Sequence, residues 1–281
     1  MPATRTPSER SALAALAAHF TPEEVAEDLA AHSAADVWQQ RVQADASGRL
    51  ARYRPEEDLN RSLPYCQFIT RSDEGWPTAL TLLGERQPLG LWVLGRDHLP
   101  ELTASTVAVT GNRNATDHAL TTTQDYAHAI AEAGHTVTAT LAFGVDAAAH
   151  QAAALTGRAT LAVLPRGLDR AHPYAHAALM KQIVSSGGAV ISLYPPGTPA
   201  SGATHQASAH LLAALSKAVI LIEALDHHHT LRTAQAALDL HRPLLTTPPA
   251  EDDIRAGGTT RLIAEQRAVL CPHPAHALAL L

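Results

Sequence analysis

A loop of three residues, Gly111, Asn112 and Arg113, is the segment of this sequence best suited to bind an anion. It follows directly after the apolar run at residues 107–110. In such a loop the backbone N–H groups and the N-terminus of the next helix attract negatively charged oxygen atoms, and the guanidinium of Arg113 adds a forked donor for phosphate. The dinucleotide-binding pattern is incomplete, because its second and third glycines are missing. An ordinary glycine turn is the alternative interpretation.

A second loop, at residues 141–146, contains Phe143 and Gly144. Gly144 is expected to let a ligand approach the backbone closely, and Asp146 is expected to cap the helix that follows. His150 lies one turn further along, where it either takes part in a site or lies on the helix surface. This loop is therefore a second candidate for contact with a ligand.

Further basic residues extend the candidate surface. Arg166 and Arg170 flank Gly167 in a third loop, at residues 165–173, and Lys217 precedes a strongly apolar run. Together with the first loop, these side chains are expected to follow a path of phosphates. Surface residues without any ligand are the simpler interpretation.

The residue types give little support to metal binding or catalysis. His227, His228 and His229 are adjacent, so their side chains would point apart on a helix. We interpret them as the exposed start of a helix, with a metal site as the less favoured reading. No nucleophile elbow, pair of carboxylates or Walker loop is found, so the sequence predicts neither catalytic residues nor a metal or other cofactor.

Composition narrows the class of protein. The 281 residues carry a net charge of −6 when histidine is neutral, which argues against a protein that coats duplex DNA. The 17 histidines are expected to make the surface less acidic as the pH falls through about 6.5. Cys66 and Cys271 lack metal-binding spacing, which fits a reducing compartment. Because neither a secretory signal nor a membrane-spanning apolar run is found, the sequence predicts a cytoplasmic location.

The elements that must position these loops follow a regular pattern from residue 106 onward. Six short apolar runs alternate with five helical segments, which predicts an α/β fold with a doubly wound, mostly parallel, Rossmann-like sheet. Right-handed crossovers then gather the strand-to-helix loops at one edge of the sheet. We expect residues 1–60 to form a small N-terminal all-α module and residues 61–281 to form the Rossmann domain, with its core at 106–249.

The loops occur in an order that resembles the DprA/Smf family of DNA-processing proteins. The motifs that carry the resemblance are Gly-Asn-Arg at 111–113, Leu-Ala-Phe-Gly-Val-Asp-Ala-Ala-Ala-His at 141–150, Gly-Leu-Asp-Arg-Ala-His-Pro at 167–173 and Leu-Tyr-Pro-Pro-Gly-Thr-Pro at 193–199. The similarity covers roughly residues 65–270. It implies an extended Rossmann fold, a homodimer, binding of single-stranded DNA and loading of the RecA recombinase during natural transformation, with no known enzymatic activity. It also places Arg113 on the family's arginine of a phosphate-binding pocket.

Several positions depart from the family pattern. Phe143 stands where the family motif has arginine, and residues 205–210 replace a stretch rich in DNA-facing arginine. The winged-helix module of many members is not expected in this chain. We therefore expect weaker and more pH-sensitive binding of DNA than in a typical member, with Phe143 as an aromatic ring available for stacking on a base.

Two other functions stay open at this point. A nucleotide-binding sensor or nucleotide hydrolase can use the same fold, although the Pro-Gly-Gly-x-Gly-Thr motif of related phosphoribohydrolases is missing. A dimerising adaptor that kept the fold and lost the ligand is the third interpretation.

Overall fold

Four helices form the beginning of the chain. The structure is a computed structural model that describes residues 6–226, 229–250 and 253–281. Ser8 caps the first helix, and Thr21 and Glu24 form a capping box at the second, so free backbone N–H groups at both starts are satisfied. These helices are α1 (Glu9–His19), α2 (Pro22–Ala31), α3 (Ala34–Ala44) and α4 (Pro55–Ser62).

The strands form one mostly parallel sheet, which confirms the predicted α/β class. They are β1 (Gln67–Thr70), β2 (Gly90–Gly95), β3 (Thr106–Thr110), β4 (Thr136–Ala139), β5 (Leu161–Leu164), β6 (Ala189–Ser192), β7 (Ser216–Leu221), β8 (Leu244–Thr246) and β9 (Val269–Leu270). Their order across the sheet is β1-β2-β6-β5-β4-β3-β7-β8-β9. The pairs β1 with β2 and β2 with β6 are antiparallel, and the other neighbouring pairs are parallel.

Helices cover both faces of this sheet. They are α5 (Leu99–Thr103), α6 (Asp117–Glu132), α7 (Val145–Leu155), α8 (Ala177–Ser185), α9 (Gly202–Leu215), α10 (Leu231–Asp239), α11 (Gly257–Ala264) and α12 (Pro274–Leu278). Successive side chains of a strand point to opposite faces, so Val107 and Val109 of β3 lie in one hydrophobic cluster and Ala108 lies in another. Helices α6, α7 and α12 pack on the first face, and α9, α10 and α11 pack on the second.

The N-terminal helices pack directly on the antiparallel end of the sheet. Ala14 of α1 lies in the same buried cluster as Phe68 of β1 and Trp92 of β2. Arg10 of α1 donates one hydrogen bond of 2.7 Å to the backbone oxygen of Phe68 and pairs in a bidentate way with Asp73, at 2.7 and 2.9 Å. Both apolar burial and a two-pronged ion pair therefore hold the helices against the sheet.

The end of the chain contains elements that the sequence pattern did not predict. Helices α11 and α12 flank β9, which pairs in parallel with β8. Both residues of β9 are exposed, although they lie in a short apolar run at residues 268–271 that was not predicted to be a strand. The segment Thr78–Arg86 is a 3-10 helix interrupted at Gly84, where φ is 56°. None of the described helices is both long enough and apolar enough to span a membrane.

Candidate phosphate-binding site

The strand-to-helix loops meet at the carboxyl edge of the parallel strands and enclose a cleft. Including its open mouth, the cleft has a volume of about 510 Å³. Its lining comes from the loops after β3, β4 and β5 and from the helices α9 and α10, and it includes Arg113, His205 and Arg232. The predicted crossovers require this meeting point, because such loops lie at one edge of a parallel sheet.

Two guanidinium groups in this lining are available to a ligand. Arg113 is exposed, and Arg232, at the start of α10, is half-buried. Neither side chain forms a hydrogen bond or an ion pair with any residue in the described ranges. Within these ranges neither charge is compensated by a direct contact, so both guanidinium groups can offer charge-assisted hydrogen bonds to a phosphate.

Asn112, expected to contact phosphate, instead holds the neighbouring loops together. Its Nδ2 donates to Oε1 of Glu223 at 2.7 Å and to the backbone oxygen of Arg255 at 3.0 Å, while its Oδ1 accepts from the N–H of Leu225 at 3.1 Å. The side chain is buried and all three of these bonds are made within the protein. Asn112 thus positions the backbone of the Arg113 loop without reaching the cleft.

Gly111 and Gly144 allow the first two loops to pack closely together. A Cβ atom on Gly111 would lie 2.7 Å from Cγ2 of Val145. Gly144 has a φ of 74°, and a Cβ atom there would lie 2.2 Å from the backbone oxygen of Asn112. The close approach that Gly144 permits is therefore to the first loop, whereas the sequence predicted an approach to a ligand.

Asp146 is a buried carboxyl group at the floor of the cleft. The expected capping role is wrong, because α7 begins at Val145 with Gly144 at its cap position. The carboxylate accepts hydrogen bonds from the hydroxyl of Thr110 at 2.8 Å, from the N–H of Thr140 at 3.1 Å and from the hydroxyl of Thr140. It thereby ties the ends of β3 and β4 together, and its burial raises the pKa of Asp146.

The third loop contributes less positive charge than the sequence suggested. Arg166 is only 8% exposed, its Nη2 lies 3.5 Å from the carboxylate of Asp169, and its Nε donates weakly to the backbone oxygen of Gly167 at 3.4 Å. Arg170 is exposed, and its Nε lies 3.6 Å from the same carboxylate. Neither arginine lines the cleft. Asp169 compensates both guanidinium groups, because it lies within ion-pair distance of each.

Lys217 lies at the wrong edge of the sheet. It is the second residue of β7, whose neighbour β3 pairs in register so that Ser216 lies beside Thr106. The cleft is at the carboxyl end of β3, and a strand of this length spans roughly 15 Å. Lys217 is therefore separated from Arg113 by a strand length, and the structure removes it from the predicted phosphate path.

Two histidines that were not singled out as site residues lie beside Arg113. His205 is in the first turn of α9 and His172 is in the loop after β5, and their ring centres are 5.7 Å apart. Burial and the nearby charge of Arg113 lower the pKa of both rings, that of His205 to about 4. The expectation that the histidines charge near pH 6.5 is therefore wrong for this pair. The sequence signal was present at residues 205–210, where histidine and alanine replace the family's arginines.

An exposed aromatic side chain lies at the same edge of the sheet. Phe143 is 47% exposed and contacts His176 edge-on, with 4.5 Å between ring centres. His176 is itself fixed by a bond of 2.6 Å between its Nδ1 and the backbone oxygen of Leu141. Tyr174, which is 77% exposed, lies two residues before His176. This surface offers aromatic faces to solvent close to the cleft.

The histidine run at 227–229 is described only at its last residue, because His227 and His228 lie outside the described residues. His229 lines the cleft. Within the described ranges, no three His, Cys, Asp or Glu side chains are grouped in a way that would hold a metal ion. A larger, mostly apolar cavity, with a volume of about 1100 Å³ when its open mouth is likewise included, lies between the α1–α2 turn and α9, outside the cleft.

The fold and motifs have clear relatives among known proteins. A profile of the family described as DNA recombination-mediator protein A matches residues 67–281. Protein Smf from Synechocystis sp. is 33% identical over 199 residues, which is 70% of this chain and 50% of that protein. Protein Smf from Escherichia coli is 30% identical over 225 residues, which is 78% of this chain and 59% of that protein.

Two solved structures share the architecture. The X-ray structure of DNA processing protein A (DprA) from Streptococcus pneumoniae superposes with a TM-score of 0.73 at 23% identity, covering 97% of this chain and 93% of that chain. DNA processing protein A from Helicobacter pylori, whose single-stranded DNA binding mode was determined, gives a TM-score of 0.67 at 23% identity, covering 76% and 95%. At these identities the likeness concerns the fold.

The matches cover only part of the length of the related proteins. The chain spans about half the length of the curated relatives it matches. The profile nevertheless covers the sheet, the cleft and the loops that carry Arg113, Gly144 and His172. The chain belongs to the DNA recombination-mediator protein A family, the DprA/Smf family.

Proposed function

We propose that this protein binds single-stranded DNA and that the cleft beside Arg113 holds one phosphate of the strand. The observation that carries the proposal is that Arg113 and Arg232 line one cleft and that neither guanidinium group is paired with a residue in the described part of the chain. Guanidinium groups form short, charge-assisted and often bidentate bonds with phosphate. The backbone of Gly111 lies in the same lining and adds a polar main chain to the site.

Family membership gives the proposal its substrate class. The Helicobacter pylori relative is described as binding single-stranded DNA, and several relatives are named as DNA processing proteins. The proposal extends to DNA processing by this chain and, more specifically, to action as a recombination mediator that loads a RecA-type recombinase during natural transformation. It includes a homodimer in the cytoplasm and no catalytic step.

Base contacts would come from the exposed aromatic surface. Phe143 and Tyr174 face solvent near the cleft, and base–aromatic stacking contributes about 1–3 kcal/mol per base without strong sequence preference. The compensated charges of Arg166 and Arg170 leave less electrostatic attraction than the sequence suggested. Binding is therefore expected to combine a few phosphate contacts with stacking.

The test compares Arg113→Ala with Arg158→Ala in a titration with a fluorescent single-stranded oligonucleotide. Arg158 is also exposed but precedes β5, at the opposite edge of the sheet. Loss of a hydrogen bond to a charged group weakens binding by about tenfold or more, so we expect that loss for Arg113→Ala alone. The slope of log affinity against log salt should also fall by about 0.7 for this variant. Equal losses in the two variants would show that binding is not centred on the cleft.

The nucleotide-binding alternative is tested in the same titration. If a mononucleotide is the physiological ligand, it should displace the oligonucleotide when the two are present at similar concentrations. Under the proposal, displacement requires a large excess, because a single nucleotide offers one phosphate and one base while the strand offers several contacts. If the unsubstituted protein is folded and binds neither the oligonucleotide nor the mononucleotide, the result supports the adaptor interpretation.

A further inference from the structure

The cleft beside Arg113 is lined by imidazole as well as guanidinium groups. His205 faces it from the first turn of α9, and the ring of His172 lies 5.7 Å away on the loop after β5. This arrangement exists where the sequence departs from the family, because His205 begins the stretch that replaces DNA-facing arginines. The charged and titratable groups that face the two rings are Arg113, Arg166, Arg232 and His229, together with Asp146 in the floor of the cleft.

These surroundings keep both rings neutral while the cleft contains no anion. Burial is the largest cause, and the positive charge of Arg113 is the second, so that the pKa of His205 falls to about 4 and that of His172 also falls. Asp146 does little to offset the cationic neighbours, because burial raises its own pKa and its oxygens already accept bonds from Thr110 and Thr140. At neutral pH the lining of the cleft thus carries the charges of Arg113 and Arg232, with the neutral ring of His205 in the lining and the neutral ring of His172 beside it.

A bound phosphate would shift both imidazole rings from the neutral toward the protonated form. Its negative charge, placed within the same cleft, favours the charged form of each imidazole and offsets the repulsion from Arg113. A protonated imidazole also gains a second N–H donor for a phosphate oxygen. The rings would then act as the third and fourth cationic donors of the site, and the protons would come from solvent.

We propose that the cleft binds phosphate together with protons, which are taken up by His205 and His172 as the anion enters. This inference rests on the proposed phosphate site and specifies how that site is regulated. Affinity should increase as the pH falls, by up to tenfold per pH unit for each proton that is fully taken up. We therefore expect the site to bind phosphate more tightly in mildly acidic conditions, although burial and Arg113 lower the pKa of both rings in the free protein.

The source of the phosphate determines how many protons follow it. An internal phosphodiester carries one negative charge, whereas a phosphomonoester, at a strand end or as free phosphate, carries nearly two at pH 7. The dianion should favour imidazole protonation more strongly. We therefore expect a larger proton uptake with a 5′-phosphorylated oligonucleotide or inorganic phosphate than with an unphosphorylated strand.

Calorimetry of the full chain at pH 7, where a phosphomonoester is already close to a dianion, in three buffers of different ionisation enthalpy measures the uptake. The three titrants are inorganic phosphate, a 5′-phosphorylated oligonucleotide and the same oligonucleotide without a terminal phosphate. The slope of the binding enthalpy against the buffer ionisation enthalpy gives the number of protons. We expect a clearly positive number for at least one titrant, and the titrant with the highest affinity identifies the phosphate source.

Variants assign the protons to the two rings. The double variant His205→Gln/His172→Gln should reduce the uptake to near zero, while His205→Arg should keep a cation in place and make the affinity less dependent on pH. His210→Gln is the matched control, because His210 is on the same helix but lines the separate apolar cavity. It should leave the proton number unchanged.

The outcomes separate this inference from the function on which it rests. Binding with zero proton uptake in the unsubstituted protein, or uptake that survives the double substitution, would overturn the role of the histidines and leave the phosphate site standing. Absence of binding by every titrant in a folded protein would overturn both. Loss of uptake in the double variant, with residual binding through Arg113, supports the inference.

Discussion

At the scale of single residues, the structure separates polar groups that the protein uses internally from groups that a ligand can reach. The side chain of Asn112 forms hydrogen bonds with Glu223 and with two backbone groups, and Arg166 is buried beside Asp169. Arg113, by contrast, is exposed and forms no bond with the described part of the chain. An exposed side chain such as Arg113 can exchange bound water for phosphate without breaking a hydrogen bond inside the protein.

His150 provides a prediction at this scale, because it is fully buried. Its Nε2 lies 3.1 Å from the backbone oxygen of Thr140 and its Nδ1 lies 3.0 Å from the hydroxyl of Thr160. A carbonyl only accepts, so Nε2 carries the hydrogen and the neutral ring satisfies both partners. Neither of the two roles that the sequence left open, a site residue or a surface residue, matches this buried structural position.

Acidification should therefore destabilise the protein through His150. Burial lowers the pKa of His150 to about 4, whereas an unfolded histidine titrates near 6.5. The unfolded state binds more protons between these values, so stability is fully present above about pH 6.5 and is lost as the pH falls toward 4, by about 3 kcal/mol. Urea unfolding between pH 7.5 and 4 measures the effect. His150→Asn should be less stable at pH 7.5 yet lose less on acidification, and parallel pH profiles for the two proteins would contradict the assignment.

At the scale of elements, the site depends on how closely the strand-to-helix loops pack. The loop after β4 lies against the loop after β3 with no room for a side chain at Gly144. Asp146 then ties the two strand ends by accepting from Thr110 and Thr140. These contacts fix the backbone from which Arg113 projects, so the geometry of the cleft is a property of paired loops.

A methyl group at position 144 should disrupt this packing. Gly144→Ala combines a positive φ of 74° with backbone oxygens 2.2 and 2.6 Å from the new Cβ, and backbone has little freedom to move away. We expect a loss of several kcal/mol in the free energy of unfolding. Gly157→Ala is the control, because Gly157 has nearly the same φ, 73°, with open space around it, and should cost only about 1–2 kcal/mol. If urea unfolding shows the same loss of stability for both variants, the contact between the two loops does not determine the effect at position 144.

At the scale of the whole molecule, the N-terminal helices and the sheet share buried surface. Ala14 packs in the cluster of Phe68 and Trp92, and Arg10 pairs with Asp73 across the boundary. Shared apolar burial of this kind couples two regions energetically, because unfolding of either region exposes apolar surface of the other to water.

We therefore expect the helices and the sheet to unfold together. Trp38 is buried in α3 and Trp92 is buried in β2, so single-tryptophan variants report on the two regions separately. Their fluorescence transitions in urea should have the same midpoint. Two resolved transitions, with Trp38 changing first, would instead make the helices an independently unfolding module at residues 1–60.

The sequence allowed much of the frame to be predicted. Apolar runs of four to six residues identify buried parallel strands because both faces of such strands are covered, as seen for β3, β5 and β6. Their alternation with helices placed the Gly111 and Gly144 loops at one edge. The same rule argues against Lys217, since a residue at the beginning of a parallel strand lies at the opposite edge of the sheet from the loop that follows that strand. The apolar run at residues 268–271, which contains the exposed β9, was not predicted to be a strand.

What the sequence by itself determined is the order of strands and helices, and with it the edge at which Arg113 lies, because these follow from local periodicity and handed crossovers. Tertiary structure alone decided which charges remain available. Asp169 compensates Arg166 and Arg170, Glu223 engages Asn112 from more than a hundred residues away, and His205 meets Arg113 only after folding. Burial and pairing depend on which distant side chains fill the same space, and no local pattern of residues encodes that.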